Sequence, residues 1–275
     1  MIQRSIKAFY RKQIEYLKPT LPVPILFTHI PKCAGTSIDQ AFRDQFRIVG
    51  TRPDFEMLRR ANIALTGQGS LADFGESATL LLLYAAQQGS TYLSGHFPIN
   101  DNALKYLKSL NPFFCITLLR EPYSRLQSNY IYRKVRLWML KYENAPNLEN
   151  QGDEKFIIHE REELLKFYNS NEGCFQLSLY ANMFGRGSYQ EAKSTLECFD
   201  VVGVVKHIDL FTNKISAHLQ QKFNVEHMNK IDNKSYQNEA KLLKLLFQDE
   251  LIEAELKNRL INENELYSWV LDNLI

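Results

Sequence analysis

The sequence predicts an α/β protein built on a mostly parallel sheet with helices on both faces. Two observations carry that expectation. Four short apolar runs, PILFTHI, TYLSGHF, PFFCITLLR and FDVVGVVKH, have the length and composition of buried strands. Each is followed by a segment with helical spacing, and strands alternating with helices form parallel sheets whose faces are covered. No internal repeat or low-complexity linker interrupts the 275 residues, so residues 1–275 are read as one domain.

The elements follow in order. Residues 1–20 are basic and aromatic and predict a short amphipathic helical lead-in stopped by Pro19. Pro19, Pro22 and Pro24 mark an extended approach to the first strand. Ile38, Ala41, Phe42 and Gln45 stand at helical spacing and predict a helix from Ser37 to Phe46. Residues 51–77 carry scattered Gly, Asn and Asp and give no firm element, and ATLLLLYAA (78–86) predicts a buried helix. After the second strand, DNALKYLKSL predicts a helix capped by Asn100 or Asp101. Pro122 sits where a long helix begins after the third strand, a position at which proline is tolerated. A polar break over 144–153 precedes helices near 154–169, 174–184 and 188–198. The fourth strand leads into an amphipathic helix, and the chain from about Ser235 is largely helical.

Charge is nearly balanced, with a formal net charge of +2, so no whole-molecule field argues for nucleic acid. The basic stretch YRKVRLWMLKY (132–142) is either a solvated helix face or a docking surface for an acidic partner. Cys33, Cys115, Cys174 and Cys198 are widely spaced, with no Cys-x-x-Cys pair, as expected of reduced thiols in a cytosol-like compartment. The N-terminal stretch lacks the continuous apolar core of a signal peptide, and no apolar run is long enough to span a bilayer. A soluble, cytoplasmic protein is the expectation. No His, Cys and carboxylate spacing matches a metal site, and no metal is expected.

The chemistry concentrates in HIPKCAGTS (29–37), a tight turn between the first strand and the first helix. The first N–H groups of a helix have no partner within it, and the helix dipole is positive there. Such an end, with Gly35 allowing close approach, cradles an oxyanion, while Thr36 and Ser37 add hydroxyls and Lys32 adds a mobile charge. The plain alternative is a turn with a Ser/Thr cap. A Walker loop is disfavoured, because Lys32 precedes the glycine by three positions instead of following it. A cysteine-dependent phosphatase loop would need an arginine shortly after Cys33, and Ala-Gly-Thr-Ser-Ile-Asp follows instead.

HIPKCAGTS resembles the 5′-phosphosulfate loop of sulfotransferases that use 3′-phosphoadenosine-5′-phosphosulfate (PAPS). Within that family it most resembles the carbohydrate branch containing the heparan sulfate 2-O-sulfotransferases, whose loop usually reads His-Ile-Pro-Lys-Thr-Ala-Gly-Thr-Ser. Cys33 stands here in place of the threonine. LLREPYSRLQSNY is similar to the family's 3′-phosphate segment, in which a strand-end arginine and a serine eight positions later hold that phosphate; Arg120 and Ser128 occupy those places. An arginine at a strand's carboxyl end also faces the crevice where doubly wound sheets bind ligands, and its fork matches phosphate oxygens. In YLSGHF, His96 matches the Gly-His that supplies the branch's catalytic base. His29 is assigned to packing. FDVVGVVKHIDLF and NENELYSW resemble the family's later segments, and NKIDNKSY offers Lys230 or Lys234 as a basic turn near the nucleotide. The similarity runs from about residue 24 to 270.

The resemblance implies the P-loop-like sulfotransferase fold and transfer of a sulfuryl group from PAPS to a hydroxyl of a glycan or other carbohydrate. His96 would take the acceptor proton and Lys32 would stabilise the leaving bridging oxygen. Cys33, Ala34, Gly35, Thr36 and Ser37, with Lys32, would hold the 5′-phosphate; Arg120 and Ser128 would hold the 3′-phosphate. The competing expectations are a P-loop kinase or NTPase, and a catalytically silent protein that binds a nucleotide or polysaccharide.

Overall fold

A computed structural model describes residues 16–50, 53–66, 71–141, 153–226 and 237–275. The lead-in over 1–15 and the candidates Lys230 and Lys234 lie outside the described residues.

The four apolar runs form strands β1 (Ile25–Thr28), β2 (Tyr92–Gly95), β3 (Phe114–Leu119) and β4 (Val201–Val204). All pair in parallel, in the order β2-β1-β3-β4, with Ile25 opposite both Tyr92 and Phe114, and Ile116 opposite Val201. The chain leaves β1 toward β2 on one side, then returns past β1 to β3 and continues to β4 on the other. The sheet's order therefore reverses between β1 and β3, and it is beyond the carboxyl ends of such strands that open α/β sheets bind ligands in a crevice.

Strand side chains alternate between two cores. Leu26, Leu93, Cys115, Leu119, Val202 and Val204 face one layer. It is closed by α3 (Leu71–Gln87), α4 (Asp101–Leu110), α9 (Tyr189–Glu197) and α13 (Ile261–Asn273). Ile25, Phe27, Phe114, Ile116 and Val201 face α1 (Gly35–Gln45) and α10 (Ile208–Leu219). A third cluster joins α5 (Pro122–Lys141) to α6 (Asp153–Asn169), α11 (Gln237–Leu246) and α12 (Glu250–Arg259). Three further helices are α2 (Phe55–Thr66), α7 (Asn171–Leu177) and α8 (Leu179–Gly185).

Local signals match these elements. Asn100, not Asp101, caps α4, its side chain accepting the Ala103 N–H at 2.9 Å. The expected buried helix at 78–86 is buried on one face only. Ala78, Leu82 and Ala85 are inside, whereas Leu80 and Tyr84 are exposed, so the apolar run is wider than the stripe that packs. Among the described residues, no helix is long and apolar enough to cross a membrane.

Candidate active site

The turn from β1 into α1 is an unusual strand-to-helix connection. Lys32 and Ala34 have φ of 66° and 58°, left-handed values that non-glycine residues seldom adopt. Alternating left-handed residues turn successive N–H groups toward one side, forming an anion nest. Ala34 is the N-cap of α1, with no side-chain capping bond and no acidic residue in the first turn. The Cys33 N–H donates to Ile30 O (3.3 Å) and the Ser37 N–H to Ala34 O (3.1 Å). The expectation that the whole backbone from Cys33 to Ser37 holds the anion is therefore narrowed. The N–H groups of Ala34, Gly35 and Thr36 make no hydrogen bond among the described residues, whereas those of Cys33 and Ser37 close the turn itself. Of the two hydroxyl residues, Thr36 is exposed and Ser37 is buried.

Gly35 has a different role from the one its place in the sequence suggests. It is already helical, and a Cβ there would lie 1.7 Å from the His29 ring. Only glycine lets the ring tuck under the helix start. His29 is half-buried, and the loss of solvent around its ring, with His96 next, pushes its pKa down to about 3, so the imidazole is neutral. Its ring stacks on Phe27 at 5.6 Å and meets the His96 ring at 4.2 Å.

His96 follows β2 at the same end of the sheet and is exposed. Its Nδ1 lies 2.5 Å from the His29 carbonyl oxygen. A carbonyl only accepts, so Nδ1 carries a proton and the lone pair of the neutral ring is on Nε2. Gly95 allows this end of β2 to form, since a Cβ there would lie 2.4 Å from the Phe55 ring.

Across the crevice, Arg120 follows β3, and its Nη1 reaches the Lys32 carbonyl oxygen at 3.5 Å. The two cations thus stand together at the point where the sheet order reverses. Burial, with Arg120 second, lowers the Lys32 pKa from its usual value to about 8. The Lys32 ammonium lies 3.8 Å from the centroid of the exposed Tyr132 ring. Tyr132 is four residues beyond Ser128 on α5, and residues so spaced share a helix face. Ser128 is half-buried, and its hydroxyl makes no hydrogen bond among the described residues.

Glu121 does not pair with Arg120. Its carboxylate accepts the N–H groups of Tyr123 (3.0 Å) and Ser124 (2.7 Å), capping α5. Burial pushes the Cys33 thiol up to about 11, so it is protonated and a poor nucleophile, against the phosphatase alternative. Two of the basic residues on α5 are paired within the fold. Arg133 pairs with Glu172 and Lys134 with Glu160, which favours a structural helix face over a docking surface.

The structure thus brings Lys32, Ala34, Gly35, Thr36 and Arg120 to one crevice, with His96 beside it through His29. Sequence reasoning missed Tyr132, the part played by His29, and Tyr180, whose buried hydroxyl accepts the Arg120 backbone N–H at 3.1 Å. Tyr132 lies in a stretch read for its charges; Tyr180 lies in CFQLSLYANMF, which has no motif to mark it. Among the described residues, no group of three or more His, Cys, Asp or Glu could hold a metal ion.

No protein-family model matches the chain, and no curated protein matches it. Among solved structures, a chain from a study of the PezAT chromosomal toxin–antitoxin system of the human pathogen Streptococcus pneumoniae aligns over 96% of both chains, at 15% identity and a TM-score of 0.35. A likeness that low carries neither fold nor function. The structure itself gives, among the described residues, an α/β protein with a four-stranded parallel sheet and with Lys32 and Arg120 together at its carboxyl end.

Proposed function

We propose that the protein is a PAPS-dependent sulfotransferase acting on a hydroxyl of a glycan or other carbohydrate. One observation carries the proposal: an uncapped helix end with three open N–H groups faces two cations, Lys32 and Arg120, across adjacent strand ends. A ligand with two separated phosphate groups suits that arrangement. The N–H groups of Ala34, Gly35 and Thr36 would take the 5′-phosphate. Arg120, with Ser128 on α5, would take the 3′-phosphate, matching the arginine fork to its oxygens. When bound, the donor supplies an activated sulfuryl group.

The chain's own work is positioning and charge stabilisation, as in phosphoryl transfer. Nε2 of His96 accepts the proton of the attacking hydroxyl while Nδ1–H stays on the His29 carbonyl. The new bond joins the acceptor oxygen to sulfur as the bond from sulfur to the phosphate oxygen breaks. Lys32 leaves its place over Tyr132 to stabilise charge on the departing oxygen. The P-loop-like sulfotransferase fold and a cytoplasmic location belong to the same proposal, the latter supported by four unpaired cysteines.

The test is a thermal-shift titration with adenosine 3′,5′-bisphosphate and with ATP. The bisphosphate should raise the melting temperature well above the shift given by ATP at equal concentration. Equal shifts would overturn the donor assignment. Turnover of labelled PAPS on a panel of glycans separates an enzyme from a silent binding protein.

A further inference from the structure

Tyr180, in α8, is fully buried and 147 residues from the loop, yet its hydroxyl lies beneath both halves of the crevice. It accepts the backbone N–H of Arg120 at 3.1 Å and donates to the carbonyl oxygen of the same residue. The Sγ of Cys33 lies 3.8 Å away. A phenol has one proton to give and two lone pairs to fill. With its proton on the Arg120 carbonyl, it accepts from the Arg120 N–H and is placed to accept from the Cys33 thiol, for which the Pro31 carbonyl at 3.7 Å is the alternative partner.

Tyr180 is itself held from behind. Its backbone N–H donates to the buried Glu263 carboxylate, at 3.0 and 3.2 Å from the two oxygens, and the Ala181 N–H donates at 3.2 Å. Its ring lies 5.5 Å from the guanidinium of buried Arg125, which donates to the Gln176 side chain (3.1 Å) and carbonyl. Strand β3 ends at Leu119, so beyond it the Arg120 peptide has no sheet partner; the Tyr180 hydroxyl takes that place.

We propose that Tyr180 is a positioning residue that fixes the Arg120 backbone, and so aims its guanidinium at the 3′-phosphate of the nucleotide. The inference rests on the sulfotransferase reading, because that reading gives Arg120 its phosphate. A backbone held at both its N–H and its carbonyl leaves the side chain only its own rotamers to lose on binding.

The test is Tyr180→Phe, which keeps the ring and removes the hydroxyl. Calorimetry gives the affinities for adenosine 3′,5′-bisphosphate and for adenosine 5′-monophosphate. The wild type should prefer the bisphosphate by roughly 10- to 100-fold, the worth of a charge-assisted phosphate contact. Tyr180→Phe should lose about five- to tenfold of that preference, with monophosphate affinity nearly unchanged. In an Arg120→Ala background the same change should no longer alter the ratio. An unchanged preference, or equal losses for both nucleotides, overturns the positioning role. No preference in the wild type sinks the donor reading itself, and this inference with it. Should Tyr180→Phe not fold, amide exchange of the wild type decides: an Arg120 N–H exchanging as fast as exposed amides contradicts the lock.

Discussion

Two strand-to-helix turns stand side by side at the carboxyl end of the sheet. One joins β1 to α1 and the other joins β3 to α5. Both deliver a helix N-terminus to the same crevice. At α5 the chain supplies its own anion, the Glu121 carboxylate, which accepts two of the first N–H groups. At α1 it supplies none: the cap is an alanine, no acid stands in the first turn, and three N–H groups stay open among the described residues. Equal topology does not make equal sites. Under the proposed function the open end is the one that would take an anion, because the other has already satisfied its dipole.

The largest expected effect lies at the end of β2, beside the two turns, which serves as a control on both. If the two turns bind and His96 reacts, His96→Ala should cut turnover by roughly 10²–10⁴-fold while calorimetric bisphosphate affinity holds. Wild-type-like turnover in the folded variant would remove His96 from the chemistry.

Next comes the attempt to make the open turn like the capped one. Thr36→Asp places a carboxylate at the bare end of α1, where Thr36 is exposed. Bisphosphate affinity should fall by about tenfold or more through like-charge repulsion. Stability should rise by about 0.3–1 kcal/mol from the dipole. Opposite signs in melting temperature and affinity are the signature; affinity unchanged in a stabilised variant would place the anion elsewhere.

The loop's lysine sharpens the comparison through pH. With the Lys32 pKa lowered to about 8, its charge is complete below that pH and is lost as pH rises through it. Bisphosphate affinity should therefore fall above pH 8, by at most about tenfold per pH unit for one proton. A Lys32→Met variant should bind more weakly and lose that slope. A wild-type affinity that stays flat through this range would show that the Lys32 charge takes no part in binding.

The smallest effect belongs to the capped turn. Glu121→Ala should cost about 0.5–2 kcal/mol of stability, the usual worth of a lost N-cap. Bisphosphate affinity should change by no more than about twofold. A large affinity loss would mean that the two turns are not distinct in function.

The loop was legible because its residue types are adjacent in the chain and each has a narrow physical role. Lysine before a lone glycine and two hydroxyls, at the head of a helical pattern, points to an anion or to a plain Ser/Thr-capped turn. The strands were legible for the same reason, since burial on both faces leaves only apolar residues in short runs. Which N–H groups stay open was not legible, because it depends on the φ values of Lys32 and Ala34, neither of them a glycine. Gly35 drew attention as the residue that lets an anion approach the backbone closely, whereas its missing side chain makes room for His29. Tyr180 reaches Arg120 from 60 residues away, and no local pattern marks a hydroxyl whose partners are backbone atoms. The exposure of Leu80 and Tyr84 was hidden because the apolar run at 78–86 continues around the helix.

A cradle made of peptide N–H groups has a consequence for mutational scanning. Alanine substitution deletes side chains, and the cradle is built from none. Residue 34 is already alanine, Thr36→Ala leaves its N–H in place, and an alanine at 33 removes a thiol but no donor. An alanine scan across the loop would therefore report Lys32 and Gly35, the latter through its collision with the His29 ring, and pass silently over the N–H groups that the proposed function assigns to the ligand. Proline at 36 would give the opposite result. It deletes one of the three open donors at a first-turn helix position that tolerates its ring, and so removes a piece of the site while leaving the helix standing.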